Sequence, residues 1–224
     1  MAILNVGLFG GAFDPVHNGH LHVANACLTK LTLDKMVIMP TGESAFRKPL
    51  SPAYHRIQML KRAFSSKIFE IDDFEINSAI KKQPSYTVSA LKYLRAKSST
   101  RLFLILGADT FSNFHKWYQF ADIIDLCHII IINRNQSEIG GVDLDNKLNK
   151  LIKQYATDSL KDLQNVFSGK IFFLNIQPIE VSSTEIKNKI LQNKSVSTSV
   201  PIEVLNTSKK ISFMQGPQAK KNNL

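Results

Sequence analysis

Gly7-Leu8-Phe9-Gly10-Gly11-Ala12-Phe13-Asp14-Pro15-Val16-His17-Asn18-Gly19-His20 is the stretch whose reading decides the fold. It follows an apolar run, Ile3-Leu4-Asn5-Val6, that reads as a buried first strand. It leads into Leu21 to Leu28, which reads as a helix. The order predicts a strand-to-helix turn at the carboxyl edge of a parallel sheet, where open α/β sheets bind ligands.

The residue types in that turn suit a polyphosphate. Gly10 and Gly11 remove two side chains, so backbone N–H groups can approach a bulky anion and φ > 0 is allowed. Asp14-Pro15 is a turn signal. A helix opening near Asn18 or Gly19 aims its free amides and positive dipole end back at the turn. His17 and His20 share one face of its first turn and can donate to phosphate oxygens. A dinucleotide fingerprint needs G-x-G-x-x-G, which Gly7, Gly10 and Gly11 do not fit, and no G-K-[ST] follows for a P-loop. His22 points off the face shared by His17 and His20, and no Cys or carboxylate stands nearby at metal-ligand spacing. A purely structural Gly-rich turn remains the bland alternative. The double Gly and the Phe-Asp-Pro before the histidines weigh against it.

G-G-x-F-D-P-x-H-x-G-H resembles the signature of the nucleotidyltransferase superfamily with the H-x-G-H motif. The chain looks like its nicotinate mononucleotide adenylyltransferase branch. The resemblance implies that His17 and His20 bind the ATP phosphates and stabilise the transition state without a covalent intermediate. It places Gly10, Gly11 and Phe13 at the ATP site as well.

The chain has 224 residues, 44% of them hydrophobic, enough to bury one full core. Its two cysteines, Cys27 and Cys127, lie in apolar patterns and read as buried free thiols, which suits a reducing cytoplasm. No basic-then-apolar leader opens the chain, and no apolar run approaches the ~20 residues of a membrane span. A soluble, cytoplasmic protein without membrane contact is the expectation. The formal charge of +10 favours anionic partners by steering, but the Lys and Arg are spread over the chain and no nucleic-acid-binding motif appears. A generally basic proteome accounts for the charge equally well.

Further along, Lys35–Pro40 reads as a second strand, Thr41 to Pro52 as a loop, and Ala53–Phe64 as a helix. A third strand spans Ile68–Ile71, and a polar segment runs on to Pro84. Ser85 or Thr87 is then expected to cap a helix with Leu91 and Leu94 inward. Arg101–Leu106, Cys127–Ile132 and Lys170–Leu174 read as buried strands, with a helix near Phe120–Ile124 and one outer helix over Val142–Leu163. Ser182-Ser183-Thr184 opens a helix over Glu185–Gln192, and Pro201–Leu205 a last short one. Strands alternating with helices argue a doubly wound parallel sheet, a Rossmann-like α/β nucleotidyltransferase fold in one domain over residues 1–214. Residues 215–224 read as a polar, disordered tail.

Three later elements extend the resemblance, which covers about residues 3 to 214. Pro84-Ser85-Tyr86-Thr87 resembles the family's P-S-Y-T element, and Gly107-Ala108-Asp109 with Trp117-Tyr118 its G-x-D…W-Y element. Trp117, the sole tryptophan, can stack on a flat cationic ring, or it is simply a core aromatic. The resemblance implies that Trp117 stacks on a pyridine ring. It also implies that the Thr87 hydroxyl, with the Val88 and Tyr118 amides, holds the pyridine carboxylate. Asp109 falls at the nucleotide site, where ribose, Mg²⁺ and a plain helix cap are open roles. Val181-Ser182-Ser183-Thr184-Glu185-Ile186-Lys187 resembles the I-S-S-T-x-I-R phosphate motif, with Lys187 in place of Arg, which loses the planar fork. Arg134 matches a family arginine near the phosphates. Ser44-Ala45-Phe46-Arg47-Lys48 replaces a Pro-Pro-His-Lys type of loop, so Arg47 or Lys48 supplies the missing donor.

The expected activity is adenylyl transfer from ATP, with Mg²⁺, to nicotinate mononucleotide, giving deamido-NAD and pyrophosphate. No protein-only metal site is expected, and a homo-oligomer is compatible with the sequence. Nicotinamide mononucleotide, then phosphopantetheine, are the alternative acceptors. A non-enzymatic basic nucleotide- or RNA-binding protein is the alternative from another class.

Overall fold

A computed structural model of the chain describes residues 3–42, 50–133 and 145–205. Strand β1 (Leu4–Gly11) lies in the middle, paired in parallel with β2 (Lys35–Pro40) on one side and β4 (Thr100–Gly107) on the other. Beyond β2 comes β3 (Phe69–Ile71). Beyond β4 come β5 (His128–Asn133), β7 (Ile171–Asn175) and the two-residue β6 (Ala156–Thr157). The order β3-β2-β1-β4-β5-β7-β6 reverses direction between β1 and β4, the switch point at which such sheets leave a crevice.

Alternating side chains of the central strands serve two cores. Leu8, Leu104 and Leu106 point to the face covered by α4 (Thr87–Lys97), α6 (Phe120–Leu126) and α7 (Asn146–Tyr155). Phe103 and Ile105 point to the face covered by α1 (Asn18–Lys30), α2 (Ala53–Ala63) and α8 (Leu160–Asn165). Helices on both faces make the sheet doubly wound, as the alternation of elements predicts. Cys27 and Cys127 are buried free thiols, each pushed up to about 12 by that burial.

Several boundaries differ from the sequence reading. The first strand does not stop at Val6; it continues through the glycines, because Gly7–Gly11 pair in register with Met36–Pro40. Gly7 is needed there, since a Cβ would sit 2.9 Å from Leu33 Cδ1 and 3.1 Å from Met36 Cε. The turn proper is therefore Ala12–His17. Neither Gly10 nor Gly11 adopts positive φ; the left-handed residue of the turn is Phe13, at φ 47. The segment before Pro84 contains a helix, α3 (Phe74–Ile80), and neither Ser85 nor Thr87 caps α4, whose N-cap is Tyr86. The expected outer helix over Val142–Leu163 is α7, β6 and α8 in succession. The expected tail, residues 215–224, lies outside the described residues.

Candidate active site

Beyond Gly11 the chain turns through buried Phe13 and a cis Asp14-Pro15 bond into His17, whose extended backbone (φ −146) makes it the N-cap of α1. His17 and His20 then stack, ring centroids 3.7 Å apart and planes 27° apart. The His17 amide donates to His20 Nδ1 at 3.2 Å. A nitrogen that accepts carries no proton, so the proton of neutral His20 sits on Nε2. Burial holds His17 down at about 4; burial, and secondarily the neighbouring His17, hold His20 down at about 3. Both rings are neutral donors at physiological pH. The Phe13 ring meets His20 edge-on at 4.9 Å, so the Phe13 side chain backs the histidine and lines neither of the clefts described next.

Two clefts open along the carboxyl edge of the sheet, one on each face. The cleft on the α1 face, about 510 Å³, is walled by His17, Gly19 and His20 on one side and Gln177 to Ile179 on the other. Gly107 and Asp109 form part of its floor. The cleft on the α4 face, about 540 Å³, is lined by Gly10, Gly11, Thr87, Trp117 and Tyr118. Thr87 is the first residue of α4, so the free amides at that helix start sit beside the cleft. Trp117 is half-buried against Phe114, ring centroids 5.3 Å apart, and Tyr118 stacks on Tyr86 at 4.4 Å. Both clefts reach the β1/β4 switch point, where Gly11 and Gly107 end neighbouring strands.

Of the other expected residues that are described, only Asp109 lines a cleft. Val88 is buried in the core behind Thr87. Asp109 is exposed at the start of α5 (Ala108–Phe111), whose N-cap is Gly107, so it is not the cap. Ser182 caps α9 (Ser183–Leu191) by accepting from the Glu185 amide at 3.1 Å. The Ser183 hydroxyl donates to the Pro15 carbonyl at 2.9 Å. Thr184 is exposed, and none of Ser182, Ser183, Thr184 and Lys187 lines either cleft. Lys187 is ion-paired with Asp14. Arg47, Lys48 and Arg134 lie outside the described residues.

Four site residues escaped the sequence reading. His22 lines the α1-face cleft and its Nε2 meets the Gln177 carbonyl at 2.7 Å across it. Glu75 and Lys116 line the α4-face cleft. Arg56, fully buried, donates to the carbonyls of Ser51 and Ala12 at 3.1 and 3.0 Å. An arginine on the apolar stripe of a helix was the one signal that could have flagged Arg56.

Fold and site together are those of a nucleotidyltransferase, with one cleft on each face of its sheet. The cytidylyltransferase-like family profile matches residues 8–189. A Clostridium acetobutylicum protein named "Probable nicotinate-nucleotide adenylyltransferase" is 34% identical over 207 residues, 91% of this chain and 95% of that one. A Coxiella burnetii protein of the same name is 35% identical over 187 residues, 82% of this chain and 84% of its own. The chain belongs to the nicotinate-nucleotide adenylyltransferase family. Plasmodium falciparum nicotinic acid mononucleotide adenylyltransferase, solved with NaAD, shares the fold at 17% identity, TM-score 0.69, over 95% of this chain and 98% of its own.

Proposed function

We propose that the protein transfers the adenylyl group of ATP to the 5′-phosphate of nicotinate mononucleotide, releasing pyrophosphate and forming deamido-NAD. The observation that carries this reading is the pair of clefts meeting at one switch point, with the H-x-G-H stack on one side and Trp117 on the other. ATP on the α1 face and the mononucleotide on the α4 face would bring the α-phosphorus and the attacking phosphate together there.

The attacking phosphate is already ionised, so catalysis rests on positioning and charge stabilisation. His20 Nε2–H donates to the α-phosphate as charge builds in transfer, and His17 holds the phosphate chain. Trp117 stacks on the pyridinium, gaining the quadrupole attraction for a cationic ring. The Thr87 hydroxyl, the α4 start including the Val88 amide, and the Tyr118 amide receive the pyridine carboxylate. Gly10 and Gly11 leave room for the phosphate, and Arg47, Lys48 and Arg134 are the further cations of this reading. Among the described residues no three His, Cys, Asp or Glu side chains group to hold a metal. Mg²⁺ would be carried by the triphosphate, with Asp109 at the cleft as its protein oxygen or as a ribose acceptor. The ion would neutralise phosphate charge.

The test is pyrophosphate release from ATP and Mg²⁺ with nicotinate mononucleotide, run beside nicotinamide mononucleotide, with products identified by mass. Turnover with the acid and far less with the amide supports the reading. Preference for the amide overturns the acceptor, and turnover with neither overturns the activity.

A further inference from the structure

Asp14 is 2% exposed, and a carboxylate so placed must be compensated or it destabilises the turn. Its compensation comes from two distant parts of the chain. Oδ2 accepts the Ser51 amide at 3.0 Å and also meets the Lys187 ammonium. Among the described residues Oδ1 is buried without a hydrogen-bond partner, so none of them stands in for the ammonium if it leaves. Burial alone would raise the Asp14 carboxyl, but the Lys187 ammonium and Ser51 outweigh it and hold the group below its usual range.

Asp14 is also a junction. In sequence Ser51 comes shortly after Arg47 and Lys48, and its carbonyl takes Arg56 Nε while Arg56 reaches Ala12. Ser51 is therefore gripped through both its amide and its carbonyl to the turn that leads into His17. From the other side, α9 reaches the same turn twice, through Lys187 and through the Ser183 hydroxyl on Pro15. A lysine suits this geometry, being a point charge that satisfies one oxygen, whereas a guanidinium fork is built for two.

We infer that Lys187 and Asp14 form a positioning pair that fixes the H-x-G-H turn against Ser51, and that Lys187 is not a phosphate ligand. The inference rests on the adenylyl-transfer reading above. Its consequence is a split between chemistry and binding. Loosening the pair displaces His17 and His20 from the reacting phosphate, which lowers kcat, while the opposite wall of the ATP cleft, Gln177 to Ile179, and its floor at Gly107 and Asp109 stay in place.

The experiment is a double-mutant cycle with Asp14→Asn, Lys187→Met and the combination, assayed for pyrophosphate release, with ATP affinity measured by equilibrium titration. Each single change is expected to lower kcat about tenfold. The double variant should fall no further than the worse single, because the two groups act as one unit. The ATP KM and Kd should change by less than kcat does in all three, since only one wall of the cleft moves. A Lys187→Met protein with normal kcat and ATP affinity weakened tenfold or more, or a double variant showing the product of the two losses, overturns the inference. Lys187 is part-exposed, so if Asp14→Asn does not fold, the Lys187→Met split between kcat and ATP Kd decides alone. If the wild type turns over no pyridine mononucleotide, the functional reading fails instead. ATP affinity and the non-additivity of melting temperatures then decide the pair, with additive losses overturning it.

Discussion

The imidazole of His20 sits face to face with that of His17, 3.7 Å between centroids, and its Nδ1 is occupied by the His17 backbone amide. This contact fixes the ring twice, in plane and in tautomer. Phe9 and Phe13 close around it, at 6.1 and 4.9 Å, and exclude the water that a charged imidazolium would need. The ring is thus held neutral with one proton aimed outward from Nε2. A donor arranged before the reaction begins loses nothing to reorganisation when charge develops on a phosphate oxygen.

Removing that donor should be costly for rate and mild for folding. His20→Ala is expected to lower kcat by at least about 10²-fold. The loss should be uniform between pH 5 and 8, because a group titrating at about 3 is neutral throughout that range. Steady-state rates across this range, with circular dichroism as the folding control, check it. A loss that appears only on one side of neutrality would mean that the ring works by changing its charge.

Trp117 is the sole tryptophan, so the protein's intrinsic fluorescence reports on the α4-face cleft alone. Nicotinate mononucleotide is expected to quench it, and ATP by itself to leave it nearly unchanged. Trp117→Ala should raise KM for the mononucleotide by about tenfold, between the worth of an exposed and of a desolvated cation–ring contact, as suits a half-buried indole. An unchanged KM with a lowered melting temperature would make the indole a packing residue against Phe114.

The parts of this molecule visible in its sequence are those governed by local pattern. Lys35–Pro40 reads directly as β2, since six residues bounded by Pro and buried on both faces leave little choice of structure. The H-x-G-H turn reads as well, because glycine, proline and histidine carry the backbone and the chemistry within one stretch. Helix α3 did not show, as Asp72 and Asp73 precede it, Glu75, Asn77 and Ser78 fall among its seven residues and only Ile76 of them is buried. The course of β1 through Gly7–Gly11 also escaped, because glycines argue for a turn until neighbouring strands supply the ladder. The partner of Lys187 lies 173 residues away, and no spacing rule reaches that far.

The same glycines separate packing from function. A Cβ on Gly7 would press on Leu33, Met36 and Ile105, so Gly7→Ala should cost about 1–3 kcal/mol of stability by overpacking. A Cβ on Gly10 would meet nothing nearer than the Met39 carbonyl, at 3.9 Å. Gly10→Ala should therefore melt within about 0.5 kcal/mol of the wild type while weakening mononucleotide binding, since the methyl enters the α4-face cleft. Thermal melts and KM values for the two variants should show opposite patterns. Equal effects on both quantities would remove Gly10 from the substrate site.

His128, far from either cleft at the start of β5, carries the last prediction. It is fully buried, its Nε2 lies 3.3 Å from the Val166 carbonyl, and its Nδ1 has no partner. Burial lowers it to about 4, and the nearby Arg101 and Lys170 push the same way, against the carbonyls of Val166 and Leu163. In the unfolded chain the ring titrates near 6.5. Above that pH both states are neutral and the ring contributes nothing to pH dependence. As pH falls from 6.5 towards 4 the unfolded chain gains a proton that the folded ring refuses, so stability declines. A depression from 6.5 to about 4 corresponds to a loss of up to about 3 kcal/mol across that window. His17 and His20 act in the same direction, and Asp14, held below its usual range, adds to the loss at the acid end, so the wild-type slope is larger than the share of His128. Chemical denaturation of the wild type and of His128→Gln at pH 7, 6, 5 and 4.5 isolates the share of His128. The variant is expected to start less stable at pH 7 and to lose less on acidification, so the two curves converge. Parallel curves would mean that the buried imidazole takes up its proton in the folded state as readily as in the unfolded chain.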